Sequence, residues 1–236
     1  MHKRMAEYLV FWREFRQTFH STGAVLPSGS RLAKALASPV AADERPQRIL
    51  EVGPGTGAVT GHILRQLGPD DQLDLVELNA RFADVLRTRL KEESAWQRVA
   101  DQVRVLEMPV EQIQEDTNYD VIVSGLPLNN FSCDLVQQIF NQFHRLAAER
   151  ARLSFFEYVA IRKAKSLFCS ASERRRLFGI DRMLGHEFAR WEIDRQCILG
   201  NVPPAWVHHL QLPGNSRTEV QESKINSTAA SCLTNS

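Results

Sequence analysis

From residue 48 to residue 156 the apolar positions follow two alternating rhythms. Compact apolar runs at 48–52, 72–76, 103–106, 120–124 and 152–156 have strand length and are rich in Val, Ile and Leu. Between them, residues 58–67, 81–91 and 134–146 repeat apolar side chains every three or four positions, as amphipathic helices do. Such alternation predicts a mostly parallel sheet covered by helices on both faces. A basic helical stretch follows, and then two further strands at 191–199 and 205–212, joined at Asn201-Val202-Pro203-Pro204, bring the sheet to seven.

The ends of the chain differ from this centre. Over residues 5–19, Tyr8, Phe11, Trp12, Phe15 and Phe19 fall on one helical face, opposite Glu7, Arg13, Glu14 and Arg16. A short helix is expected over 30–37, and a polar connector over 39–46. From Pro213 onward Ser, Thr and Asn predominate without periodicity, which predicts a disordered tail. The expected organisation is therefore an amphipathic helical segment over 1–38, an α/β domain over 39–212 and a tail over 213–236.

Composition narrows the function classes. The chain has 236 residues, 43% hydrophobic and 24% charged, which is ordinary for a globular domain. Twenty-nine basic residues against 28 acidic give a net charge of +1, so no global nucleic-acid footprint is present. Cys133, Cys169, Cys197 and Cys232 lack any paired spacing and read as reduced thiols in a cytoplasmic protein. No run approaches the roughly 18 apolar residues of a membrane span.

The chemistry concentrates where the first strand ends. Glycines at 53, 55 and 57, between a strand and a helix, let the backbone turn tightly and let a ligand approach without meeting a Cβ. The amides of the helix that follows favour an anionic group. Dinucleotide sites also use a glycine turn, but with the spacing G-x-G-x-x-G; here it is G-x-G-x-G, preceded by Glu51. Glu77 ends the second strand, where an acid accepts both ribose hydroxyls.

Glu51-Val52-Gly53-Pro54-Gly55-Thr56-Gly57 resembles the first motif of class I S-adenosylmethionine-dependent methyltransferases, and Val76-Glu77-Leu78-Asn79 their second. The resemblance implies a Rossmann-like fold and S-adenosylmethionine as cofactor. It assigns Glu51, Gly53, Gly55, Thr56 and Gly57 to the methionine portion and Glu77 to the ribose. Many such enzymes carry an acid after the third strand for adenine. Here that stretch reads Leu106-Glu107-Met108-Pro109-Val110, so either Glu107 serves or adenine is held by apolar contact and backbone.

Ser124-Gly125-Leu126-Pro127-Leu128 ends the fourth strand and resembles the Asn-Leu-Pro-Tyr motif of amino-directed methyltransferases, without its amide and without its stacking aromatic. With Thr22-Gly23-Ala24-Val25-Leu26-Pro27-Ser28, Phe155-Phe156-Glu157-Tyr158 and Asn201-Val202-Pro203-Pro204-Ala205-Trp206-Val207, it resembles bacterial phospholipid and aminolipid N-methyltransferases over residues 10–212. That implies an acceptor amine of phosphatidylethanolamine or an ornithine lipid. Ser124, Leu126 and Pro127 would frame it, Glu157 or Tyr158 would take part in removing its proton, and Leu126, Leu128 and Phe131 would give an apolar path to its acyl chains.

A lipid substrate agrees with the ends of the chain. Residues 1–36 hold six basic and two acidic residues, and an aromatic stripe with flanking Lys and Arg suits an interfacial helix, with Tyr8, Trp12, Phe15 and Arg16 as contacts. Arg162, Lys163, Lys165, Arg174, Arg175 and Arg176, against Glu173 alone, add a second patch for anionic headgroups. The expected location is cytoplasmic, peripheral to the inner face of the membrane. His208 and His209 are adjacent in a strand and point to opposite faces, so no metal site is expected. Two alternatives stand beside this reading. One is an RNA adenine dimethylase, weakened by the missing aromatic after Pro127; the other is a lipid-surface binding module that keeps the fold without the activity.

Overall fold

The computed structural model describes residues 27–42, 45–113, 118–158, 171–201 and 203–214. Tyr8, Trp12, Phe15, Arg16, Arg162 and Lys163, with the expected tail beyond residue 214, lie outside them.

Helix α1 (Pro27–Ala37) and a 3-10 turn lead into β1 (Arg48–Val52), α2 (Thr60–Ile63), β2 (Gln72–Val76), α3 (Ala80–Glu92) and α4 (Ser94–Gln97). Then come β3 (Val103–Leu106), β4 (Tyr119–Ser124), α5 (Cys133–Leu146), β5 (Ala147–Tyr158), α6 (Ala171–Trp191), β6 (Glu192–Ile198) and β7 (Ala205–Gln211). All seven strands form one sheet in the order β3-β2-β1-β4-β5-β7-β6. The first five run parallel, and β7 pairs antiparallel with both β5 and β6. This is the mostly parallel, helix-covered sheet that the alternation predicted and the Rossmann-like fold that the resemblance implied.

Two apolar layers hold the sheet. On one face Leu50, Val52, Ile122, Leu153 and Phe155 pack with Val136, Ile139, Phe140 and Phe143 of α5 and Ile180 and Leu184 of α6. On the other, Ile49, Leu73, Leu75, Val121 and Val207 pack with Leu32 and Leu36 of α1, Ile63, Leu86 and Trp96. Both faces are covered, which is why the strands read as continuous apolar runs rather than alternating ones. One polar cluster of three residues enters this core. Asp74, 3% exposed, accepts from Arg104 Nε and Nη2 and from the Tyr119 hydroxyl, each at 2.7 Å, and so ties β2 to β3 and β4. Burial, with the bond to Asp74, raises the Tyr119 pKa well above its ordinary value.

Three elements differ from the sequence expectation, the first being the helix expected over 58–67, which is helical only over Thr60–Ile63 with turns on either side. β5 begins at Ala147, five residues earlier than the apolar run suggests, with Arg150 at φ 61 and a register shift opposite Tyr119–Val121. The one-turn helix α4 was not anticipated, because four residues are too short for a periodicity to show.

Candidate functional site

The parallel strands end together, and the loops after β1, β2, β3 and β4 meet at that edge, where open α/β sheets bind ligands. Gly53, Gly55 and Gly57 have φ of 71, 59 and 88, the left-handed region in which a side chain is strained. The loop is wedged from both sides. A Cβ on Gly53 would lie 2.7 Å from Leu126 Cδ2, and one on Gly57 would lie 2.5 Å from Trp96 Cη2. Around Gly55 nothing approaches within 4 Å, so this glycine faces the open side.

The wedge on the Gly57 side is built by α3 and α4. Arg89 lies 4.1 Å above the Trp96 ring, donates to the Thr56 carbonyl at 2.6 Å and pairs with both carboxylate oxygens of Glu93 at 2.7 and 2.9 Å. Sequence reasoning missed Arg89 and Trp96; an arginine and a tryptophan seven residues apart carry no motif.

Two buried carboxylates flank the loop. Glu77 accepts from Gly55 N at 3.0 Å through Oε2 and from Asn79 N at 2.8 Å through Oε1, and burial raises its pKa against the pull of those amides. Glu51 is wholly buried; Oε2 accepts from Thr60 Oγ1 at 2.7 Å, while Oε1 accepts no hydrogen bond from the described residues. Burial, and secondarily the charge of Glu77, push its pKa up to about 8 against the Thr60 bond. A cleft beside Glu77 is walled by Val52, Gly53, Val76, Leu78, Met108, Pro109, Val110 and Leu126. The set fits a ligand with a flat apolar end, a diol and a cationic end. Apolar walls meet the first, spare carboxylate lone pairs on Glu77 the second, and two buried acids the third.

Glu107 takes a different place from the one expected. It is exposed and pairs with Arg87 at 3.2 Å, so its carboxylate is engaged on the surface of α3. The cleft wall is made by its successors Met108, Pro109 and Val110 instead.

The turn after β4 abuts the glycine loop. Gly125 N donates to Val52 O at 2.8 Å, and a Cβ on Gly125 would lie 2.7 Å from Gly53 O. Ser124 is fully buried, and its Oγ accepts from Leu126 N at 3.3 Å, closing the turn. Arg176 of α6 fixes the far side. It donates to the carbonyls of Phe131 and, at 2.9 Å, of Asn129, and Glu173 holds it from behind at 2.6 and 2.9 Å. Leu126, Leu128 and Phe131 are 3%, 1% and 2% exposed and belong to the core. The apolar path assigned to them is therefore corrected: Leu128 and Phe131 are sealed in the core beneath the turn, and Leu126 packs on Gly53 and walls the cleft beside Glu77.

Glu157 and Tyr158, the two alternatives for removing the acceptor's proton, are separated by the pleat. Ser124 pairs with Phe155, so Glu157, two residues on, lies on the Ser124 face. Tyr158 lies on the other face, 5.1 Å from the Phe156 ring, where burial raises its pKa. His208 and His209 divide in the same way, opposite Phe155 and Ser154, as the alternation predicted.

Comparison with known proteins agrees with this geometry. Residues 49–150 match a family described as a methyltransferase domain. An ornithine lipid N-methyltransferase of Singulisphaera acidiphila is 26% identical over 144 residues, covering 61% of this chain and 74% of its own length. Among solved structures, an O-methyltransferase of Bacillus cereus in complex with SAH superposes with a TM-score of 0.57 at 16% identity, over 84% of this chain and 89% of its own. A structure described as a putative O-methyltransferase from Klebsiella pneumoniae gives 0.58 at 21% identity, over 77% and 80%. At those identities the two structures establish the shared fold.

Proposed function

We propose that this chain, a class I S-adenosylmethionine-dependent methyltransferase, transfers the methyl group to the amino nitrogen of a membrane aminolipid, an ornithine lipid or phosphatidylethanolamine. The observation that carries the acceptor class is Glu157, a buried carboxylate on the Ser124 face at the carboxyl edge of the sheet. A carboxylate attracts an ammonium; a flat base needs a stacking ring, and at position 128 the side chain is a leucine sealed in the core. The ornithine-lipid relative agrees with that choice.

The bound cofactor supplies an electrophilic methyl group. Gly53, Gly55, Thr56 and Gly57 would shape its seat, Glu51 and Glu77 would hold its cationic end and ribose hydroxyls, and Leu78, Met108 and Val110 would wall its adenine. Ser124, Leu126 and Pro127 set the height of the turn on which the amine rests, so that positioning of nitrogen against methyl does most of the work. Outward on α6, Arg174, Arg175, Arg182 and the 67%-exposed Phe178 offer cations and an apolar anchor to an anionic bilayer. No helix among the described residues is long and apolar enough to cross a membrane. The reading places the protein in the cytoplasm, peripheral to the inner face of the membrane.

Two outcomes are expected. Glu77→Ala weakens S-adenosylmethionine binding by about 1.5–3 kcal/mol, measured by calorimetry, because hydrogen bonds to a charged acceptor are lost; unchanged affinity removes Glu77 from the ribose. With labelled cofactor, the purified protein labels ornithine lipid or phosphatidylethanolamine in vesicles and leaves ribosomal RNA unlabelled. Efficient RNA labelling with lipid inert would sink the acceptor assignment.

A further inference from the structure

We propose that Glu157, His208 and Glu192 form a relay that carries the acceptor's proton from the methyl-transfer edge to solvent. The inference rests on the amine acceptor proposed above.

An aliphatic ammonium has a pKa of about 10 and offers no lone pair at neutral pH. Each transfer forms an N–C bond, breaks a C–S bond whose electron pair stays on sulfur, and releases one proton from nitrogen. That proton starts at the buried end of the β4 turn, where bulk water is not at hand, and needs a way out.

The register supplies one. Phe155 pairs with His208 and Glu157 with Trp206 across β5 and β7, so Glu157 and His208 share the face of Ser124. His208 Nε2 lies 3.4 Å from Glu157 Oε2, and its Nδ1 lies 2.6 Å from Glu192 Oε1. The imidazole is packed against two rings, stacked on Phe188 at 4.3 Å and 15° and on Phe155 at 5.4 Å and 24°, the two phenylalanines themselves stacking at 6.0 Å. It cannot swing away from either carboxylate without losing both stacks. Side-chain exposure goes from 9% at Glu157 and 6% at His208 to 20% at Glu192. Glu192 in turn borders an open depression of about 360 Å³ with Arg150, Arg190, Trp191 and Gln211. An imidazole accepts a proton at one nitrogen and gives up another from the opposite one, which matches its place between two acids.

The proton passes from the acceptor nitrogen to Glu157, from Glu157 to His208 Nε2, from His208 Nδ1 to Glu192, and from Glu192 to water in the depression. Glu157 is the group that meets the acceptor; His208 and Glu192 act through it. The other charged groups around the ring are Arg195, its register partner on β6, which lies over Trp206 at 5.3 Å, and His209, its neighbour on β7. Helix α6 meets it with Phe188, whose neighbours Glu187 and Arg190 turn to His144 and to the depression.

The test compares wild type with Glu192→Gln and His208→Gln, as full chains, on ornithine lipid and phosphatidylethanolamine vesicles from pH 7 to pH 10. At pH 7 kcat is expected to fall about 100-fold, the lower range for a positioned proton acceptor, with both KM values within about twofold. The deficit closes toward pH 10, where the amine arrives already neutral. Independently of any acceptor, nitrogen NMR of the histidine rings shows a strongly hydrogen-bonded Nδ1 proton on His208 whose hydrogen bond weakens in Glu192→Gln, where a neutral amide oxygen replaces the carboxylate. A deficit that is equal at every pH, a loss carried by KM, or a ring without that proton overturns the relay. Wild type inert toward both lipids overturns the aminolipid reading and the relay with it; wild type active and Glu192→Gln equally fast at pH 7 overturns the relay alone.

Discussion

Gly125→Ala is expected to lower S-adenosylmethionine affinity at least tenfold and the melting temperature by several degrees, although residue 125 carries no functional group. The added Cβ would stand 2.7 Å from the Gly53 carbonyl oxygen, with the Val52 carbonyl oxygen at 3.6 Å. Both are backbone atoms and neither can rotate aside. The β4 turn and the glycine loop must then separate by a few tenths of an ångström, against the 2.8 Å bond from Gly125 N to Val52 O that joins them. Overpacking of this kind costs about 1–3 kcal/mol, or roughly 2–4 °C per kcal/mol in a domain of this size. The functional loss is larger, because displacing the glycine loop also moves the amide of Gly55 off Glu77. Gly185→Ala is the contrast. Nothing lies within 4 Å of that position in the exposed face of α6, so alanine is expected to add up to about 1 kcal/mol of stability with binding unchanged. Calorimetry and thermal unfolding of the pair decide the matter: a Gly125→Ala protein that binds cofactor normally would show that the two loops move independently.

What the sequence revealed and what it hid follow from the range of each interaction. The glycine loop was legible because a tight turn after a strand leaves a mark in three residues, and the positive φ of Gly53, Gly55 and Gly57 is the conformation those residues permit. The mostly parallel sheet of seven strands required only the alternation and the final two strands, whereas its order comes from the structure. His208 and His209 were assigned to opposite faces from the period of a strand alone, and the same period would have separated Glu157 from Tyr158 had it been applied there. Leu128 and Phe131 were given to the substrate because they follow the motif, but burial depends on what packs against a turn, and α6, which meets this one through Arg176, is remote in sequence. Glu107 shows the limit on the cofactor side. Its neighbour in space, Arg87, lies 20 residues away and draws the carboxylate outward. The link between Glu157, His208 and Glu192 joins three strands, and no spacing within any one of them announces it.

The second large effect concerns Glu51, and its sign is opposite to that of an ordinary active-site substitution: Glu51→Gln is expected to stabilise the fold. The folded chain keeps the Glu51 proton to about pH 8, whereas a carboxyl in the unfolded chain releases it near the ordinary 4.5. Between those values the folded state holds more protons than the unfolded one, so stability falls as pH rises from about 4.5 and levels off above about 8. The gap corresponds to roughly 5 kcal/mol of destabilisation at high pH. Glutamine keeps the shape and an acceptor for Thr60 Oγ1 without the charge. The variant should match wild type near pH 4.5, gain about 3 kcal/mol by pH 7 and more by pH 9, read from urea midpoints across that range. A buried acid placed beside a second one, Glu77, is a poor choice for a fold alone. It suits a site that must attract a cationic ligand, whose charge offsets the repulsion once bound. The same variant is therefore expected to lose about 1.5–3 kcal/mol of S-adenosylmethionine affinity, so that added cofactor protects wild type more than the variant. A stability gain independent of pH would remove the buried charge as its cause, and an unchanged cofactor affinity would leave Glu51 outside the binding site.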